Sequence, residues 1–313
     1  MTRREFFERA SCAAGVLALA RSAGAATTMF VSLNGSVTRG VSGADKIRLA
    51  AKTGFGGVDW DLGAAKTAGL DATKALFAEL KIVPTIVNLP MARPLPFGGE
   101  DAAFREALKP LAEDAAFTAA GGCTKMMLVL PASTATPKAE MRKLAVDRLS
   151  AIADVLKTSA VRLGLEFLGP LYFRTGRAGG PPPEPFIWNM PEAVALAKDT
   201  GPNMGVVLDV WHWHHSNSTL KDIADAGAGR IVHVHVSDAK ASAPEDVRDN
   251  QRVMPGEGII DLAAFFQALQ QAGYGDGVSP EPLGRIPESM SAEDGAKLAL
   301  DTTLAAMKRA GVR

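Results

Sequence analysis

The chain has 313 residues, enough for one large domain or two ordinary ones. Apolar residues make up 47% and charged residues 22%, which excludes a disordered chain, and two cysteines exclude a disulfide scaffold. Lys plus Arg and Asp plus Glu both number 34, so no charge excess points to nucleic acid or an anionic membrane as the main partner.

Residues 1–26 have the layout of an export signal. Arg3-Arg4 and Phe6-Phe7 form a charged opening, Ala13–Ala20 is a short apolar run, and Ala23-Gly24-Ala25 offers a small-residue cleavage site. The adjacent arginines before a Phe pair resemble the twin-arginine signal, which implies the twin-arginine export machinery as a partner and a periplasmic location. No stretch reaches the ~18 apolar residues of a membrane span, so no permanent anchor is expected. Removing the signal leaves a slightly acidic chain with Cys123 as its remaining cysteine.

From residue 27 to 313 one domain is expected. Short β-branched runs alternate with longer Ala/Leu-rich helical patterns. Strands are expected at 29–33, 57–60, 82–88, 124–130, 162–168, 205–210, 231–237 and 277–281. Helices are expected near 43–53, 64–80, 101–120, 138–159, 191–200, 219–227, 261–273 and 291–310. In the fourth helix Leu144, Leu149, Ile152, Val155 and Leu156 fall near one apolar stripe. This alternation implies parallel strands with helical crossovers, and the eight units match an α/β fold of the (β/α)8 TIM-barrel type. A doubly wound open sheet is the alternative, but no Gly-rich nucleotide loop follows a strand. Residues 169–190, rich in Pro, Gly and aromatics, interrupt the rhythm after the fifth strand and read as a lid.

The chemistry gathers at the C-terminal ends of the last four strands. These carry Glu166, then Asp209 with His212, His214 and His215, then His233, His235 and Asp238, then Glu281. A lone charge after an apolar strand is expensive, so four such groups on neighbouring strands call for a common partner. Carboxylate oxygens plus an imidazole suit one divalent metal ion, with manganese preferred and magnesium, cobalt or zinc as alternatives. His212 falls just past its strand, beside that site. His233, one layer deeper, reads equally as core or as support, and His214 and His215 read as loop residues.

These strand ends, together with AKTGFGGVDWDLG (51–63) and RVMPGEGIIDLAAFFQAL (252–269), resemble the xylose isomerase-like barrel superfamily over residues 29–310. The resemblance implies metal ligands at Glu166, Asp209, His235 and Glu281. It implies proton transfer by Glu166 and Glu281, and substrate contacts from His212 and Arg252. Prolines on either side of Glu281 depart from the usual eighth-strand pattern. Endonuclease members of the superfamily need histidines after earlier strands. Residues 29–160 contain none, so a nucleic-acid substrate is not expected.

The implied reaction is proton removal beside a sugar carbonyl and its return to the same or the neighbouring carbon, which is epimerisation or isomerisation. A metal on adjacent oxygens would stabilise the enediolate. The aromatics Tyr172, Phe173, Phe186, Trp188, Trp211 and Trp213 near the expected mouth suit a carbohydrate, with Trp188 and Trp211 expected to contact it. No phosphate loop is evident, so an unphosphorylated keto-sugar or cyclitol is expected. Two alternatives stand beside this reading: a lyase or dehydratase acting on an inosose or 3-keto-glycoside, and a non-catalytic exported sugar-binding barrel. A homo-oligomer is allowed but not indicated.

Overall fold

Eight parallel strands close on one another. They are β1 (Phe30–Leu33), β2 (Gly57–Asp59), β3 (Val83–Asn88), β4 (Lys125–Val129), β6 (Arg162–Glu166), β8 (Met204–Asp209), β9 (Ile231–Val236) and β10 (Gly277–Pro280). They pair in chain order and β10 returns to β1. The computed structural model describes residues 28–38, 40–92, 94–175 and 183–312. The expected export signal and the centre of the expected lid lie outside the described residues. Among the described residues no helix is long and apolar enough to cross a membrane.

The (β/α)8 barrel is the fold expected from the strand–helix rhythm, and each strand end falls within one or two residues of its expected place. The helices around it are α1 (Gly43–Thr53), α2 (Leu62–Ala68), α3 (Leu70–Leu80), α4 (Asp101–Ala120) and α5 (Lys138–Lys157). After them come α6 (Met190–Thr200), α7 (Val210–His215), α8 (Leu220–Ala226), α9 (Leu262–Gln271) and α10 (Ala292–Arg309). The strands are apolar because both faces are covered, one by helices and one by the barrel interior. On α5 Leu149, Ile152 and Leu156 are fully buried, each burial contributing about 1.5–3 kcal/mol, while Leu144 and Val155 are half-buried at the edge of the stripe.

Three expectations are corrected. The continuous helix over 64–80 is two helices, because Gly69 has φ +90° and ψ 149° and ends the first before opening the second. His214 and His215 are in α7 rather than a loop: the Asp209 carboxylate accepts the backbone N–H of Trp211 at 2.7 Å and starts a short helix. Phe186 and Trp213 belong to the core and not to the mouth. Phe186 is fully buried, and Trp213 packs against Phe265 with ring centroids 5.5 Å apart.

Two tiny strands, β5 (Ser133–Thr134) and β7 (Glu184–Pro185), pair antiparallel and fasten the far end of the 169–190 segment to the loop after β4. Inside the barrel the lower layer is tight. A Cβ on Gly277 would lie 2.7 Å from Thr85 Cγ2, and one on Gly57 would lie 2.8 Å from the same atom. Bare backbone at these two positions lets polar side chains from β1, β3 and β10 meet at the axis.

Candidate active site

Strand register brings the polar groups together. Asp209 on β8 is level with His235 on β9, and His235 is level with Ser279 on β10. Glu281 follows β10 by one residue and is held there by its backbone N–H donating to Val236 O at 2.8 Å. The flanking prolines therefore leave Glu281 beside the strand end, where its carboxylate joins the others. Glu166, the last residue of β6, completes the set. One ligand atom from each of Glu166, Asp209, His235 and Glu281 lies within 4.8 Å of all the rest.

The cluster is buried and held by opposite charges. His235 Nδ1 is 2.9 Å from Glu166 Oε1 and 3.5 Å from Glu281 Oε2. Burial by itself would push the His235 imidazole down, but Glu281 and Glu166 outweigh it and hold the group well above its ordinary value. Arg252 is buried across the same acids. Its Nη1 donates to Asp209 Oδ2 at 2.6 Å and to Glu281 Oε2 at 3.2 Å, and its Nη2 donates to Asp249 Oδ1 at 2.7 Å. Burial would raise the Asp209 carboxyl, but Arg252, His212 and His235 hold it well below the usual carboxylate range.

The residues present fit a divalent cation. Three carboxylates and an imidazole converge on one small volume, and the Glu166 carboxylate has His235 as its side-chain hydrogen-bond partner. His235 turns Nδ1 toward the carboxylates, and its Nε2 is buried with no hydrogen-bond partner among the described residues. An oxygen-rich set with one nitrogen suits manganese, magnesium, cobalt or zinc.

The remaining expected residues fall in distinct places. His212, on α7, is beside the cluster. Its Nε2 is 3.2 Å from Arg252 Nη2 and 4.0 Å from Asp209 Oδ2, and its ring meets the edge of Phe173. Trp211 is not brought to the central cavity. Its ring backs the Arg252 guanidinium at 4.7 Å and faces a separate pocket formed with His215 and Arg248. Trp188 is also away from the cavity wall and stacks on Arg174 at 3.8 Å. Tyr172 accepts the backbone N–H of Asp249 at 3.2 Å, so residues 171–173 lean on the loop that carries Arg252. Asp238 accepts four backbone N–H groups, from Ala239, Gly256, Gly258 and Ile260, and shapes the turn after Arg252.

A cavity of about 280 Å³ opens beside the cluster. Glu166, His235 and Glu281 form one side, and Asn34, Lys46, Asp59 and Asn88 from the β1–β3 side form the other. Sequence reading missed all four of the latter. Asp59 ends a three-residue strand, and Lys46 is in the first turns of an amphipathic helix; neither shows a ligand-like spacing.

A model of the xylose isomerase-like TIM barrel family matches residues 47–304. The inosose isomerase of Halalkalibacterium halodurans is 29% identical over 168 residues, which cover 53% of this chain and 55% of that protein. The match thus spans about half the length of such curated relatives. The structure of a xylose isomerase domain protein from Alicyclobacillus acidocaldarius superposes with a TM-score of 0.81 at 26% identity, covering 91% of this chain and 100% of that one. The crystal structure of the IOLI protein with a bound zinc atom superposes with a TM-score of 0.74 at 24% identity, covering 90% and 99%.

Proposed function

Since the chain belongs to the xylose isomerase-like TIM barrel family, we propose that it is a divalent-metal-dependent sugar isomerase or epimerase acting on an unphosphorylated keto-sugar or cyclitol. One observation carries the reading: Glu166, Asp209, His235 and Glu281 converge within 4.8 Å, and Glu166, His235 and Glu281 line a cavity of about 280 Å³. That volume is at the small end of ligand pockets and suits a single ring better than a glycoside. The inosose isomerase relatives support the substrate class, and the zinc reported for the IOLI protein supports a divalent metal.

In this reading Glu166, Asp209, His235 and Glu281 hold the metal. When bound, the metal polarises the substrate carbonyl and steadies the negative charge that develops on its oxygen. Glu166 and Glu281, from strands on either side of His235, flank the substrate. One takes the proton from the carbon beside the carbonyl, leaving the electron pair to form the enediolate. The other returns a proton to the same carbon or to its neighbour. The family resemblance gives substrate contacts to His212 and Arg252; here both are buried beside the cluster rather than on the cavity wall, with Arg252 held by Asp209, Glu281 and Asp249. Burial of the cluster excludes water and strengthens each of these contacts.

The test is a panel of ketoses and inososes incubated with manganese-loaded protein in D₂O. Deuterium at one carbon with no other mass change is the expected result. Loss of water from the substrate would replace isomerisation with elimination. No exchange and no product on any compound would overturn the enzyme reading.

We propose an exported location on the sequence of residues 1–26. Fused to a reporter, this segment should carry it to the periplasm, and Arg3→Lys with Arg4→Lys should abolish that transport. Unchanged transport by the double variant would remove the twin-arginine reading.

A further inference from the structure

The wall opposite the metal-type cluster carries one cation, Lys46. It projects from α1 and borders the cavity with Asn34, Asp59 and Asn88, across from Glu166, His235 and Glu281. Lys46 is only 9% exposed. Its ammonium has three N–H donors, yet no hydrogen bond or ion pair is formed with it among the described residues. The stem is buried while the ammonium stays open to the cavity, so its donors are available to an oxygen that enters there.

The surroundings say which kind of acceptor fits. Asp59 and Asp61 attract Lys46 through space. Burial works against the Asp59 carboxylate, but His233, His235 and Ser279 hold it below its ordinary value; Ser32, Thr85 and Ser279 donate to its Oδ1 at 3.0, 3.0 and 2.7 Å, and Asn34 donates to its Oδ2 at 2.9 Å. These bonds fix the carboxylate and leave Lys46 facing it without touching it. The Lys46 charge is thus already balanced, and a second carboxylate entering from the ligand would meet Asp59. A hydroxyl oxygen accepts an N–H without bringing a charge. Burial pushes the Lys46 ammonium below its ordinary value, with Asp59 and Asp61 opposing, in keeping with a group that gains from an oxygen acceptor.

We propose that Lys46 is a substrate-contact residue that donates to hydroxyl oxygens on the end of the ring remote from the reacting carbonyl, and so selects a neutral polyhydroxy ring. This rests on the reading of the cavity as a sugar or cyclitol site. It makes the cavity two-ended, with charged proton-moving groups on the β6–β10 side and a hydroxyl reader on the β1–β3 side.

The test uses manganese-loaded full-length protein, with wild type, Lys46→Met and Lys46→Gln compared by calorimetric binding of an inosose, of its monodeoxy analogues and of a hexuronate. Turnover is measured in parallel. Lys46→Met should weaken inosose binding about tenfold or more, with kcat changed far less. One monodeoxy analogue should show the same loss on wild type and no further loss on Lys46→Met. Lys46→Gln, which keeps a neutral donor, should recover part of the affinity, and it carries the comparison alone if the Met variant does not fold. Manganese binding should be unaltered in both variants. Inosose affinity unchanged by either substitution would overturn the proposal. So would a hexuronate preference that depends on Lys46, because the contact would then be to an anion. If wild type binds the ring but turns over no compound, the enzyme reading fails while the role of Lys46 is still decided by binding.

Discussion

Two buried Asp–His groups lie one layer apart in the same barrel. The upper one is Glu166, Asp209, His235 and Glu281 at the strand ends. The lower one is Asp59 with His233, whose Nε2 is 3.7 Å from Asp59 Oδ1 and 2.8 Å from Ser279 Oγ. Asp59, His233 and His235 also bring ligand atoms within 4.8 Å of one another. Residue type and spacing do not separate the two groups; their existing partners do. The Asp59 oxygens accept from three hydroxyls and one amide, so this carboxylate is already satisfied by the fold, although His233 Nδ1 has no partner among the described residues. In the upper group three carboxylates share one imidazole and one guanidinium. The upper carboxylates suit a cation because the fold gives them fewer donors than their oxygens can accept.

The largest expected effect tests that contrast directly. Asp209→Ala should remove tight manganese binding and turnover together, read by metal content and by isotope exchange. Glu166→Gln and Glu281→Gln should each lower kcat by about 10²–10⁴, the range expected for losing a positioned proton-transfer group. Asp59→Asn should keep one manganese per chain. If Asp59→Asn loses the metal while Asp209→Ala retains it, the assignment of the two groups is reversed.

Much of this was legible in sequence because the barrel signals itself through alternation. An apolar run that ends in a carboxylate or histidine marks both a strand and its C-terminal end, and Glu166, Asp209, His235 and Glu281 all carry that mark. What was not legible depends on backbone dihedrals or on distant partners. Gly69 could sit within a helix, and only its positive φ divides α2 from α3. Trp211 and His212 are neighbours in sequence, but the short helix that Asp209 starts turns one toward Phe173 and the cluster, and the other behind Arg252. Asp59 gains its meaning from Ser32, Thr85 and Ser279, up to 220 positions away. No local pattern announces such a group.

The second effect is on stability. Asp59→Ala should leave the hydroxyls of Ser32, Thr85 and Ser279 without their shared acceptor, at about 1–3 kcal/mol for a buried polar group left unsatisfied. Denaturant unfolding should show a lower midpoint at unchanged slope. An unchanged midpoint would mean that hydrogen bonding to Asp59 does not hold the lower group together.

The same two groups should also give stability opposite slopes with pH in the metal-free protein. His235 is raised above its unfolded value of about 6.5 by Glu281 and Glu166 against burial. Its contribution is fully present below about 6.5 and is lost as pH rises through the higher folded value. His233 is lowered to about 3, by burial first, with Asp59 opposing. The unfolded chain takes up that proton below about 6.5 while the folded chain does not, so stability falls as pH drops from there toward 3. Manganese should release the His235 proton, bind more tightly as pH rises, and flatten only the alkaline limb. Metal that flattens the acid limb instead would place it at His233.

The smallest effect concerns how the upper group is braced. Trp211 stacks behind Arg252 at 4.7 Å, and Arg252 spans Asp209, Glu281 and Asp249. A buried cation over an aromatic face is worth about 0.5–2 kcal/mol, with Trp the strongest partner. Trp211→Phe keeps an aromatic face and removes part of that attraction, so it should lower stability by about 1 kcal/mol. Because the ring touches Arg252 and not the cavity, kcat and KM should move together and only by a few-fold. A large rise in KM with kcat unchanged would instead put Trp211 on the substrate, and the brace would then belong to the site itself.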